Sequence, residues 1–164
     1  IIRKHFAKDQ VESAIHAFHD YYWKRHNTWV RRSREIEELL HFIKSNGLNL
    51  AIMTGKGRKS LDYSLKALEI ADLFDKTVTG DEVEKPKPEP EGILKILHTL
   101  HTLPEEAVFV GDSDVDIKAG KSAGVETAGV QWLPTYQTPE FTTDPDHIFN
   151  RVEDFKTYLK TKMK

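Results

Sequence analysis

Two hydrophobic rhythms divide the chain. Val11, Ile15, Phe18 and Tyr22 recur at spacings of four, three and four. That is the period of one helical face, so an amphipathic helix is predicted from about Asp9 to His26, interrupted by Asn27 and Thr28. Ile36, Leu39, Leu40 and Ile43 predict a second helix from about Ser33 to Ser45, stopped by Asn46-Gly47. Unbroken apolar runs then take over at Leu48 to Met53, Ala107 to Val110 and Val125 to Val130. Such runs suit strands of a parallel sheet, and Ala107 to Val110 is expected to be buried on both faces until Gly111 breaks it. Helices are predicted from Ser60 to about Ala71, around Ile93, Ile96, Leu97 and Leu100, and from about Val115 to Ala123, with Gly124 as a stop. A short strand falls near Thr77 to Thr79. Residues 132–146 read as an irregular loop rich in Thr and Pro, and His147 to Phe149 as a last short strand. Asn150-x-x-Glu153 then marks a capping box opening a C-terminal helix through Phe155 and Leu159. Strand and helix units in this order specify an α/β fold built on a doubly wound parallel sheet.

Composition narrows the chemistry. At 164 residues the chain suits one domain with a small appendage, and a net charge of −2 gives no reason to expect nucleic acid or a membrane surface as partner. The absence of cysteine excludes disulfides, thiolate metal sites and thiol nucleophiles, and fits a reducing compartment. No apolar run reaches the length of a membrane span or a signal peptide.

The candidate chemistry lies where strands end. Asp112, Asp114 and Asp116 follow the run at 107–110 at alternate positions. Carboxylates gathered at the carboxyl end of a parallel strand repel one another unless a cation or ligand compensates them, and open α/β sheets place their ligands there. An EF-hand is excluded, because Ile117 and Ala123 stand where its glycine and bidentate glutamate belong. After Met53 comes Thr54-Gly55-Lys56-Gly57. It fails as a dinucleotide fingerprint, since Ser60 replaces the third glycine, and as a P-loop, since no Gly-Lys-Ser/Thr ends it. What remains is a hydroxyl and free N–H groups ahead of a helix, able to hold an anion. Lys85 and Lys87 each open a Lys-Pro-x-Pro; Lys87 is preferred because its prolines run directly into the next helix. His16 and His19, one helical turn apart, read as a solvated face rather than a metal site.

Thr54, Lys87 and Gly111-Asp112-x-x-x-Asp116 together form an ordered constellation that resembles the haloacid dehalogenase (HAD-like) superfamily, particularly its phosphoglycolate phosphatase and β-phosphoglucomutase-like hydrolases. The resemblance implies a Rossmann-like core over residues 31–164 and the C-terminal part of a helical cap over residues 1–30. It implies that Thr54 and Gly55 bind the transferring phosphoryl group, Lys87 neutralises it, Asp112 ligates Mg²⁺ and Asp116 supports that site. The implied activity is a Mg²⁺-dependent phosphatase of small phosphorylated metabolites, in the cytoplasm, as a monomer or weak dimer, through an aspartyl-phosphate. A phosphomutase uses the same core residues. The family's nucleophile, an Asp-x-Asp after an N-terminal strand, has no counterpart here. It is therefore expected, with that strand, before Ile1; were the chain complete, an inactive binding module would be the better reading. The strands ending at Thr54 and Gly111 are accordingly expected not to pair with each other.

Overall fold

The computed structural model describes residues 7–163. Among these the order is α1 (Val11–Trp29), α2 (Arg34–Ser45), β1 (Ala51–Met53), α3 (Arg58–Leu68), β2 (Lys76–Val78) and α4 (Glu91–Leu100). Then follow β3 (Val108–Gly111), α5 (Asp114–Ala123), β4 (Glu126–Val130), β5 (His147–Phe149) and α6 (Val152–Lys162). All pairings are parallel, but they fall into two ladders, β1-β2 and β3-β4-β5. Among the described residues no ladder joins β1 to β3.

The two ladders nonetheless share the same two helical layers, because successive strand residues point to opposite faces. Met53 of β1 and Phe109 of β3 pack into one core with Ile93, Ile96 and Leu97 of α4 and Ala119 and Ala123 of α5. Leu48, Leu50, Val108 and Val110 pack into the other, with Leu39 and Ile43 of α2 and Phe155 and Leu159 of α6. This is the doubly wound arrangement that the strand–helix order predicts.

Several boundaries and burials differ from the sequence reading, each for a physical reason. β3 is half-buried along its length rather than fully buried, since only one of its edges carries a partner strand. Gly111 does not break the strand; it pairs with Gly129 as the last rung. Asn27 and Thr28 do not stop α1, which continues to Trp29. Its last turn is anchored by His26, fully buried against Ser64 of α3, and that contact outweighs the modest helix propensity of Asn and Thr. The docking face of α1 is accordingly Tyr22, Trp23 and His26, while Phe18 is left 47% exposed. No capping box opens α6: Arg151 is its N-cap and no side chain caps it. Burial of Val152 and Phe155 sets that start instead.

Two side-chain details fix how tightly the layers close. A Cβ on Gly120 of α5 would stand 2.6 Å from Thr127 Cγ2 and 3.3 Å from Phe109 Cδ1. Gly120→Ala therefore trades about 1 kcal/mol of helix propensity against about 1–3 kcal/mol of overpacking. A net loss is expected, read as a lower denaturation midpoint. Beside it, Asp146 Oδ2 accepts from Thr127 N–H at 2.8 Å and Thr127 Oγ1 at 2.6 Å. These bonds hold its carboxyl at about 2, against an ordinary 3.8. The folded-state value is depressed, so the stabilisation is complete above the ordinary value and disappears as pH falls through the folded one. The melting-temperature gap between wild type and Asp146→Asn should thus be constant near neutrality and close between pH 3.8 and about 2.

Candidate active site

Lys87 lies at the centre of the site. Its Nζ donates to Asp116 Oδ1 at 2.5 Å and to the Met53 carbonyl at 3.4 Å, and sits 5.8 Å from the Phe109 ring centre. One ammonium thus ties the carboxyl end of β1 to the first turn of α5. The Lys85 backbone N–H is bonded to Glu91, and its side chain is exposed. Glu91, the first residue of α4, accepts from the N–H groups of Glu84 and Lys85 at 3.1 and 2.8 Å and pairs with Lys95. Lys95 and those two N–H groups hold its carboxyl down at about 2. A negative group at a helix N-terminus is also favoured by the helix dipole.

Asp116 is 7% exposed, and both of its oxygens are engaged. Oδ2 accepts from Ser113 Oγ, whose own oxygen caps α5 by accepting from Asp116 N–H. Only glycine fits at 111, because a Cβ there would come 2.3 Å from Asp116 Cβ. The three alternating carboxylates therefore have separate duties. Asp114 Oδ1 accepts from the N–H groups of Thr142 and Thr143 at 2.8 and 2.9 Å, and the Thr143 bond leads in lowering its pKa. Asp112 Oδ2 accepts from Gln137 N–H at 3.1 Å, and its carbonyl accepts from Thr138 N–H. The loop at 132–146, read from sequence as irregular, is in this way strapped across the site. Asp112 Oδ1 keeps no donor among the described residues.

The loop after β1 corrects the sequence reading in part. Thr54 Oγ1 accepts from Lys56 N–H at 3.2 Å, which leaves the hydroxyl proton to donate elsewhere. One N–H of the helix start is already taken: Asp81 accepts from Arg58 N–H with both oxygens at 3.1 Å. Thr79 Oγ1 and this N–H keep the Asp81 carboxyl low. Among the described residues the loop keeps the Thr54 hydroxyl and the N–H groups of Gly55 and Gly57 as donors without an acceptor.

Mg²⁺ binds through one or two carboxylates and takes its remaining ligands from water and phosphate oxygens. Asp112, with an unused oxygen at the mouth of β3, fits that demand. Asp116 turns its charge to Lys87. No group of three acidic or histidine side chains placed to hold a metal occurs among the described residues.

A family model for haloacid dehalogenase-like hydrolases matches residues 1–130, and the chain belongs to that family. A relative from Caldanaerobacter subterraneus is 37% identical over 127 residues, covering 77% of this chain, which in turn spans 58% of that relative's length. The pyrophosphatase PpaX of Bacillus anthracis is 33% identical over 152 residues, covering 93% of this chain and 70% of its own. Among solved structures, a predicted phosphoglycolate phosphatase of Haemophilus somnus superposes with a TM-score of 0.83 at 28% identity, over 94% of this chain and 68% of its own. A β-phosphoglucomutase of Clostridium difficile shares the fold at TM-score 0.76 and 21% identity, over 96% and 69%.

Sequence reasoning passed over Glu91, Asp81 and Ser113. The Ser113-x-x-Asp116 spacing is a capping signature and could have flagged Ser113; Asp81 and Glu91 bond backbone brought near by the fold and carry no such signal. Glu91→Ala should release the N–H groups of Glu84 and Lys85, speeding their hydrogen exchange by about tenfold relative to those within α4.

Proposed function

We propose that this protein is a Mg²⁺-dependent phosphohydrolase of small phosphorylated compounds, with pyrophosphate among its substrates. The observation that carries the reading is Lys87, delivered by a proline-stiffened loop to the point where β1 ends and α5 begins. The pyrophosphatase activity named for the Bacillus anthracis relative supports the substrate, and residues 1–30 and 31–164 correspond to the end of a cap and a core.

In this reading Thr54 donates its hydroxyl proton, and Gly55 its N–H, to oxygens of the transferring group. Lys87 offsets the repulsion between a phosphate and an attacking carboxylate, about 4 kcal/mol for unit charges 4 Å apart at an effective dielectric near 20. Asp116 and the Met53 carbonyl hold that ammonium still, which matters because phosphoryl transfer is mostly positioning and electrostatics. Asp112 holds Mg²⁺, which when bound neutralises phosphate charge and polarises a phosphoryl oxygen. β1 and β3 each keep an edge without a strand partner among the described residues, which suits a strand that brings the attacking carboxylate to Lys87. No described helix is long and apolar enough to cross a membrane, and the reading places the reaction in the cytoplasm.

In the full-length protein, Asp112→Asn should raise the Mg²⁺ concentration for half-maximal pyrophosphate hydrolysis by about tenfold or more. An unchanged Mg²⁺ dependence removes Asp112 from the metal site. A wild-type protein that hydrolyses no phosphorylated compound ends the reading.

A further inference from the structure

Lys56 is held in an unusual way. Its N–H is spent on Thr54 Oγ1, so the loop turns and the side chain leaves toward α1. There Nζ lies 3.2 Å from Tyr22 Oη, 3.4 Å from Ser64 Oγ and 5.8 Å from the Tyr22 ring centre. Lys44, Lys87, Lys95, Lys121 and Lys162 each face a carboxylate; the partners of Lys56 are uncharged.

The seat beneath it is built from buried polar groups. Ser64 is 4% exposed and His26 fully buried. The Ser64 hydroxyl donates to the Ser60 carbonyl at 2.9 Å, so its lone pairs face outward as acceptors. His26 Nε2 lies 2.9 Å and Tyr22 Oη 3.0 Å from that oxygen. An ammonium resting on hydroxyl oxygens keeps its whole positive charge and retains an N–H to donate. It does so at the edge of the loop that presents Thr54.

We propose that Lys56 recognises a second anionic group on the substrate, the one that is not transferred. This rests on the phosphohydrolase reading and narrows it: the preferred substrate carries its phosphoryl group close to another phosphate or a carboxylate. Tyr22 and Ser64, steadied by His26, are positioning residues for the ammonium. Through them α1 contributes to substrate choice without touching the reacting atoms.

The test compares pyrophosphate, phosphoglycolate and p-nitrophenyl phosphate in the full-length protein. The leaving group of the last carries no second anion. In K56M, kcat/KM for the anion-bearing substrates should fall about tenfold further than for p-nitrophenyl phosphate, the worth of one charge-assisted hydrogen bond. K56R, which keeps the charge, should recover most of that difference. A selective loss on pyrophosphate alone assigns the second phosphate, and one shared with phosphoglycolate assigns an anion of either kind. An equal loss on all three substrates would mean that Lys56 merely tethers α1, and overturns the proposal, as does no loss on either anion. Calorimetric titration with pyrophosphate gives a readout independent of turnover: weaker binding by K56M supports the assignment, while equal binding, or none by wild type, overturns it. Turnover by wild type therefore decides the phosphohydrolase reading, and the K56M comparison decides the role of Lys56.

Discussion

An ammonium and a carboxylate removed from water cost several kcal/mol each unless both are fully partnered. The Lys87–Asp116 pair, with side chains only 16% and 11% exposed, meets that condition through additional contacts. The Met53 carbonyl and Phe109 ring complete the lysine; the Ser113 hydroxyl completes the aspartate. Much of the local structure serves this one contact. Glu91 holds the loop that delivers Lys87, Ser113 caps the helix that carries Asp116, and glycine at 111 lets that carboxylate lie against β3.

A second theme is the way acidic residues are used. Asp81, Asp114, Asp146 and Glu91 each accept from backbone N–H groups, and each is held below its ordinary pKa, led by the Thr79 hydroxyl, the Thr143 N–H, the Thr127 hydroxyl and Lys95 respectively. They brace the loops that surround the site: 79–81 beneath Thr54, 84–87 around the lysine, and 137–146 over Asp112. Asp112 Oδ2 likewise accepts from the Gln137 N–H, and its Oδ1 has no donor among the described residues.

The layered fold was legible because hydrophobic period and strand–helix order are local properties, and these placed every core helix within a few residues. The sequence puts Thr54, Lys87, Asp112 and Asp116 at strand ends and helix starts, and there Lys87 bonds the Met53 carbonyl and Asp116. What sequence could not show was which donors were already taken. The N–H of Arg58 looks free in the chain, yet Asp81 lies 23 residues away in sequence and occupies it. The inward face of α1 was misread for a similar reason. Periodicity set Phe18 on the same face as Tyr22, whereas the partner surface on α3 offered a buried serine hydroxyl that His26 and Tyr22 reach.

The division into two ladders also bears on how the chain assembles. Ala51 meets Lys76, and Val108 meets Glu126, so β1-β2 and β3-β4 each close over one crossover that carries one α-helix. Closure entropy grows only slowly with loop length, about 0.6 kcal/mol per doubling, and both crossovers are short enough to form from local contacts alone. The chain thus holds two locally closed βαβ units. Joining them needs the long-range contacts, the shared helical layers and the single ammonium between Met53 and Asp116. The site lies on the seam between these units, where no ladder joins β1 to β3 among the described residues and Lys87 bridges the Met53 carbonyl and Asp116.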